Sequence, residues 1–121
     1  MLAGNFYTIQ DCLKDENTLT FSIELKRDHP IYKGHFPGNP VTPGVIQMEI
    51  VKELLSQHMK KEMKLRAMAN CKFLAILNPD LNSQVEVKMS LSDLEDGGMR
   101  VSAQFMSNDQ VFTKIQSVFY S

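Results

Sequence analysis

The chain has 121 residues, 43% of them hydrophobic, with 13 basic and 14 acidic side chains and a formal charge of -1. That length fits one domain, residues 1–121, around a single core, and the near balance of charge leaves no strong field to draw nucleic acid or anionic lipid. Cys12 and Cys71 lack CxxC spacing, which excludes a disulfide framework or zinc knuckle. With no signal-like N-terminus and no window near about 18 apolar residues, a cytoplasmic protein with two reduced thiols and no membrane span is expected.

The first strand is expected over Phe6 to Lys14, paired with the next. Thr18 to Leu25 alternates strictly, Leu19, Phe21, Ile23 and Leu25 against Thr20, Ser22 and Glu24, as a strand with one buried face requires. His29 precedes Pro30 in a turn and reads as structural. Between Gly34 and Pro43, the prolines Pro37, Pro40 and Pro43 restrict φ and remove three backbone donors, so the stretch is neither helix nor central strand but a rigid loop able to hold His35 in one orientation.

A helix follows, from about Gly44 to Lys60. Val45, Met48, Ile50, Val51, Leu54, Leu55 and Met59 recur at spacings of three and four with no internal Gly or Pro, a stripe broad enough to be largely enclosed. His58 near its end meets the helix dipole favourably and reads as structural. Four strands come next, three of them alternating as half-buried strands: Leu65 to Phe73, Val85 to Leu91 and Met99 to Phe105. The fourth runs from Val111 to Tyr120, with turn chemistry at Asn78-Pro79-Asp80, Asp96-Gly97-Gly98 and Asn108-Asp109. An antiparallel meander is the economical topology for these four. The predicted class is α+β: one long central helix packed against a curved antiparallel sheet of five to six strands, the layout called a hotdog.

The run His35-Phe36-Pro37-Gly38-Asn39-Pro40, then Pro43-Gly44-Val45, then Glu49, closely resembles the active-site signature of bacterial 3-hydroxyacyl-acyl-carrier-protein dehydratases. The close match covers about sixteen residues; beyond them the resemblance is one of layout. It implies removal of water from 3-hydroxyacyl thioesters to give trans-2-enoyl thioesters in fatty acid or related polyene or lipid synthesis, with acyl carrier protein as the partner that presents the substrate and with no cofactor. Such chemistry needs a base for a weakly acidic Cα proton, and a neutral imidazole, His35, suits it. It also needs an acid for the departing hydroxide, which a buried carboxyl, Glu49, supplies. A backbone N-H at a helix start, here Gly44, faces the charge that develops on the thioester oxygen. Phe36, Pro43 and Val45 complete the expected substrate-binding set.

The same resemblance implies a homodimer, with a trimer of dimers or a heterodimer as other arrangements. The histidine and carboxylate of one site then come from opposite subunits, and the acyl chain enters an apolar tunnel at their boundary. The chain also departs from the family. Glu53 stands where glutamine is common, four residues after Glu49, so two carboxylates repel at i and i+4; Glu53 is expected to be solvated or to support the site from behind. The N-terminus is short, and Asn78-Pro79-Asp80 replaces the usual Pro-Gly-Asp. The other readings are a hotdog thioesterase, in which Glu49 activates water, and a carrier-binding partner subunit of a hotdog heterodimer. A metal bound by His29, His35 and Glu49 has no compact ligand pair behind it, and none is expected. Lys60, Lys61, Lys64 and Arg66 read first as a solvated helix terminus and secondly as a docking patch for an acidic carrier. Met48, Met59, Met63 and Met68 read first as deformable core and secondly as an adaptable acyl tunnel.

Overall fold

The computed structural model describes residues 1–36 and 38–121; Pro37, part of the motif loop, lies outside the described residues. Strand β1 (Tyr7–Asp15) turns tightly into β2 (Thr18–Leu25), and a four-residue helix α1 (Ile31–Gly34) leads to the motif loop. The long helix α2 spans Gly44–Met59, followed by β3 (Lys64–Phe73), β4 (Gln84–Asp93), β5 (Met99–Ser107) and β6 (Gln110–Tyr120).

All six strands join one antiparallel sheet in the order β1-β2-β4-β5-β6-β3. The expected four-strand meander is therefore corrected to three strands, β4-β5-β6. Strand β3 crosses over α2 to the far edge beside β6, and β4 pairs with β2. The β5–β6 hairpin needs only Asn108 and Asp109, both at positive φ (49° and 68°), as a two-residue type I′ turn requires. Bulges at Ile9/Asp11 in β1 and at Leu65/Ala67 and Met68/Asn70 in β3 bend the two edge strands.

The inward faces of β2, β4, β5 and β6 meet Ile50, Val51, Leu54 and Leu55 of α2 in one core that includes Leu19, Phe21, Ile23, Val87, Phe105 and Phe119. Each such side chain contributes roughly 1.5–3 kcal/mol by leaving water, so the helix is held chiefly by its stripe. At the helix C-terminus Lys60 takes the left-handed conformation (φ 58°) and Met63 N-H donates to Ser56 Oγ at 3.0 Å.

Strand β3 departs from its half-buried reading. Every residue from Lys64 to Phe73 is exposed except Cys71, which is partly buried. Leu65, Met68 and Phe73, with Leu74 and Ile76 just beyond, present large apolar side chains to solvent. The alternating pattern identified a strand correctly, but a single chain supplies no layer to cover it. No helix among the described residues is long and apolar enough to cross a membrane.

Two buried tyrosines anchor the elements around the motif loop. Burial, and for Tyr7 also the Glu53 carboxylate, raises both phenols, Tyr32 to about 12. Both keep their protons in the fold beyond the pH at which an unfolded tyrosine, near 10, loses its own. The folded state thus binds more protons above about pH 10, and stability falls as pH rises. We expect the unfolding free energy from urea titrations to be flat up to about pH 9.5 and then to fall, on the order of 1.4 kcal/mol per pH unit for each tyrosine. In Tyr32→Phe the drop is shallower.

Candidate active site

The motif loop is held largely by its own backbone. Phe36 and Asn39 exchange two N-H to C=O bonds, at 3.0 and 2.8 Å, and Val41 N-H donates to His35 C=O at 2.6 Å. This closes a tight lobe that carries His35 and Phe36 outward, both exposed, with ring centroids 5.4 Å apart in an edge-to-face arrangement.

Thr42 fastens the lobe to the rest of the molecule. Its N-H donates to Leu77 C=O at 2.9 Å, its hydroxyl shares a hydrogen bond with Tyr32 at 2.9 Å, and its C=O accepts from Gln47 Nε2 at 3.0 Å. Pro43, extended at φ -61° and ψ 149°, then starts α2 with no side-chain cap. Ile46 and Gln47 N-H both reach Pro43 C=O at 3.1 Å. Among the described residues, the Gly44 and Val45 amides have no acceptor within the chain, so the positive end of α2 is open.

Gly44 lies against the tip of the Phe73 ring, which a Cβ at this position would push aside. Beside it opens a groove of about 410 Å³, lined by Val41, Pro43, Gly44, Phe73 and Ile76 and floored by Gln47. It fits the apolar part of an acyl chain better than a charged ligand. Val45, the next residue of α2, is exposed and does not line the groove.

Glu49 is half-buried on the second turn of α2. Within one chain, among the described residues, no hydrogen bond joins it to His35. The structure thus groups Phe36 with His35 on the lobe, and Pro43, Gly44 and Val45 at the helix start.

Glu53 is not solvated. At 7% exposure it accepts Leu2 N-H at 2.7 Å on Oε2, Ala3 N-H at 2.9 Å on Oε1 and the Tyr7 hydroxyl at 3.1 Å on Oε1. Three donors converge on one carboxylate, as burying a charge demands. Glu53 latches residues 2–7 onto α2, and the Tyr7 hydroxyl it holds also feels the charge of Glu49.

The sequence reading missed Thr42, Tyr32, Gln47, Phe73 and Thr113. Of these only Gln47 carried a signal. It occupies the position three before Ile50 and four before Val51 on the apolar stripe, where an amide must find buried partners.

One long helix packed against a six-stranded antiparallel sheet is the hotdog fold. Solved structures agree: the dehydratase heterocomplex ApeI:P from Xenorhabdus doucetiae superposes with a TM-score of 0.74 at 16% identity, over 94% of this chain and 97% of that one. A mutant thioesterase from Pseudomonas aeruginosa gives 0.62 at 12% identity, over 93% and 78%. At these identities the likeness speaks to fold alone. The ApeI-like family model, described as ApeI dehydratase, matches residues 11–116. An uncharacterized thioester dehydrase of Halalkalibacterium halodurans is 30% identical over 114 residues, covering 88% of this chain and 73% of the relative. The chain belongs to the ApeI-like dehydratase family.

Proposed function

We propose that the protein eliminates water from 3-hydroxyacyl thioesters presented by acyl carrier protein. His35 takes a proton from Cα, and the electron pair forms the Cα=Cβ bond as the Cβ-O bond breaks. Glu49 protonates the departing oxygen, which leaves as water, and the product is a trans-2-enoyl thioester. While charge builds on the thioester oxygen, the Gly44 amide donates to it. The observation that carries this reading is the joining of a self-bonded lobe bearing His35 to an uncapped helix start beside an apolar groove. All three sit on the segment that resembles the dehydratase signature. The reaction belongs to fatty acid synthesis or a related lipid or polyene route in the cytoplasm.

His35 and Glu49 meet across two chains in this proposal. Support comes from β3: an edge strand exposed on both faces, with apolar side chains and unpaired backbone groups, lies beside the groove and invites edge-to-edge pairing. We expect a homodimer by native mass spectrometry, and we expect Met68→Lys on β3 to shift it toward monomer and lower dehydration in parallel. A dimer unaffected by this change locates the interface elsewhere.

The reaction itself is tested with 3-hydroxyacyl carrier protein, following loss of one water by mass spectrometry beside a thiol-trapping dye. Enoyl product without free thiol is expected. Free thiol without enoyl product means that Glu49 activates water in a thioesterase. Activity appearing only after a second hotdog chain is added means a heterodimer; the Xenorhabdus doucetiae structure is likewise of a heterocomplex.

A further inference from the structure

Two side chains and one backbone carbonyl form a hydrogen-bonded path from the last strand to the start of α2, and each of the three residues is almost completely enclosed: Thr113 at 0%, Gln47 at 2% and Thr42 at 2% exposure. The directions of its bonds are determined. Thr42 C=O only accepts, so Gln47 turns Nε2 toward it, which leaves Oε1 facing Thr113, and the Thr113 hydroxyl donates there. Gln47 also grips the next peptide, since its own N-H reaches Pro43 C=O at 3.1 Å. In a planar trans peptide the N-H points opposite to the C=O, so anchoring Pro43 C=O inward aims Gly44 N-H out of the helix start. Gln47 therefore holds the peptides on both sides of Pro43.

Thr113 is tied to the same place by a second route. It pairs across the sheet with Phe73, whose ring rests on Gly44. One residue of β6 thus bonds Gln47 and also pairs with the strand position whose ring touches Gly44. An apolar side chain of similar size at position 47 fills the same space without a desolvation cost. A satisfied buried amide instead imposes one geometry on its partners.

We infer that Thr113 and Gln47 are positioning residues that aim the Gly44 amide at the reacting thioester oxygen, although Thr113 is remote from the motif in sequence. The inference rests on the reaction proposed above. The pair acts on the reacting atoms through Gly44, and Thr113, unlike Gln47, does not line the groove.

The test compares Thr113→Val, which keeps the shape and removes the hydroxyl, with Thr113→Ser, which keeps the hydroxyl. Thr113→Val is expected to lower kcat about tenfold with KM within about twofold, and to shift the backbone amide resonance of Gly44. Thr113→Ser is expected to restore both. Gln47→Met is expected to reproduce the Thr113→Val effect, and it serves if Thr113→Val does not fold. A lowered melting temperature with kcat and the Gly44 resonance unchanged overturns the inference and leaves the pair a packing feature. If wild-type protein turns over no 3-hydroxyacyl thioester, the proposed reaction fails separately. The Gly44 resonance then decides alone whether the pair orients that amide.

Discussion

His35→Ala is expected to lower dehydration of a 3-hydroxyacyl thioester by about 10²–10⁴-fold, the usual contribution of a positioned general base, with little change in fold or melting temperature. The structural side follows from exposure. The His35 ring stands outside the core, its aromatic neighbour among the described residues is the exposed Phe36, and the lobe is held by backbone groups of His35, Phe36, Asn39 and Val41. Removing the ring disturbs none of those bonds. Glu49→Gln removes the proposed proton donor and keeps the shape, and is expected to lose activity by a similar factor. The contrast of large catalytic and small structural effects is what separates a functional histidine from a loop histidine. Equal effects on kcat and melting temperature argue for a structural role.

Glu53→Ala produces the opposite contrast. It removes the acceptor for two backbone amides and the Tyr7 hydroxyl, and Tyr7 is fully buried. Donors stranded in the interior cost about 1–3 kcal/mol each when water cannot reach them, and bonds to a charged partner are the stronger kind. Residues 2 and 3 can swing out and recover water, which leaves a net loss of about 2–4 kcal/mol. Against a total of about 5–15 kcal/mol that is a large fraction, and a fall in melting temperature of roughly 10 °C is expected. Glu53→Gln retains one acceptor oxygen but turns an NH₂ group toward an N-H, so it falls between. Tyr7→Phe, which loses one donor of three, costs less than either. Thermal unfolding of the four proteins gives the order directly, and a Glu53→Ala protein as stable as wild type removes the latch from the account.

The strands and the helix were legible wherever a period ran unbroken. Thr18–Leu25 and Gly44–Met59 emerge almost at the expected bounds because alternation and the three-four spacing are local, and because Pro43 and Gly44 mark a helix start. The place of β3 was not legible. Alternation says that a segment is extended, not which neighbour it pairs with, and only the crossover over α2 carries β3 to the β6 edge. Its exposure followed from the same gap, since the pattern of Leu65 to Phe73 records a face that one chain leaves uncovered.

At the site, the loop and helix start were readable from proline and glycine positions. The partners of Glu53 and Gln47 were not, because Leu2 and Thr113 are 51 and 66 residues away and no local rule links them. Helix α1 went unseen because four residues, IYKG, are too few to show a period. Its entry is set by His29, whose Nδ1 accepts Ile31 N-H at 3.1 Å. That bond supports the structural reading of His29.

The account turns on His35 of one chain and Glu49 of another forming one catalytic unit, and complementation between inactive variants tests it most directly. His35→Ala and Glu49→Gln proteins are mixed, dissociated and reassociated, and dehydration is measured beside each variant alone. In a two-fold dimer with shared sites, half of the randomly formed pairs are mixed and each carries one intact site, so about one quarter of wild-type activity is predicted to return. A mixture that forms mixed dimers by native mass spectrometry yet stays as inactive as its components, beside an active wild type, contradicts the account.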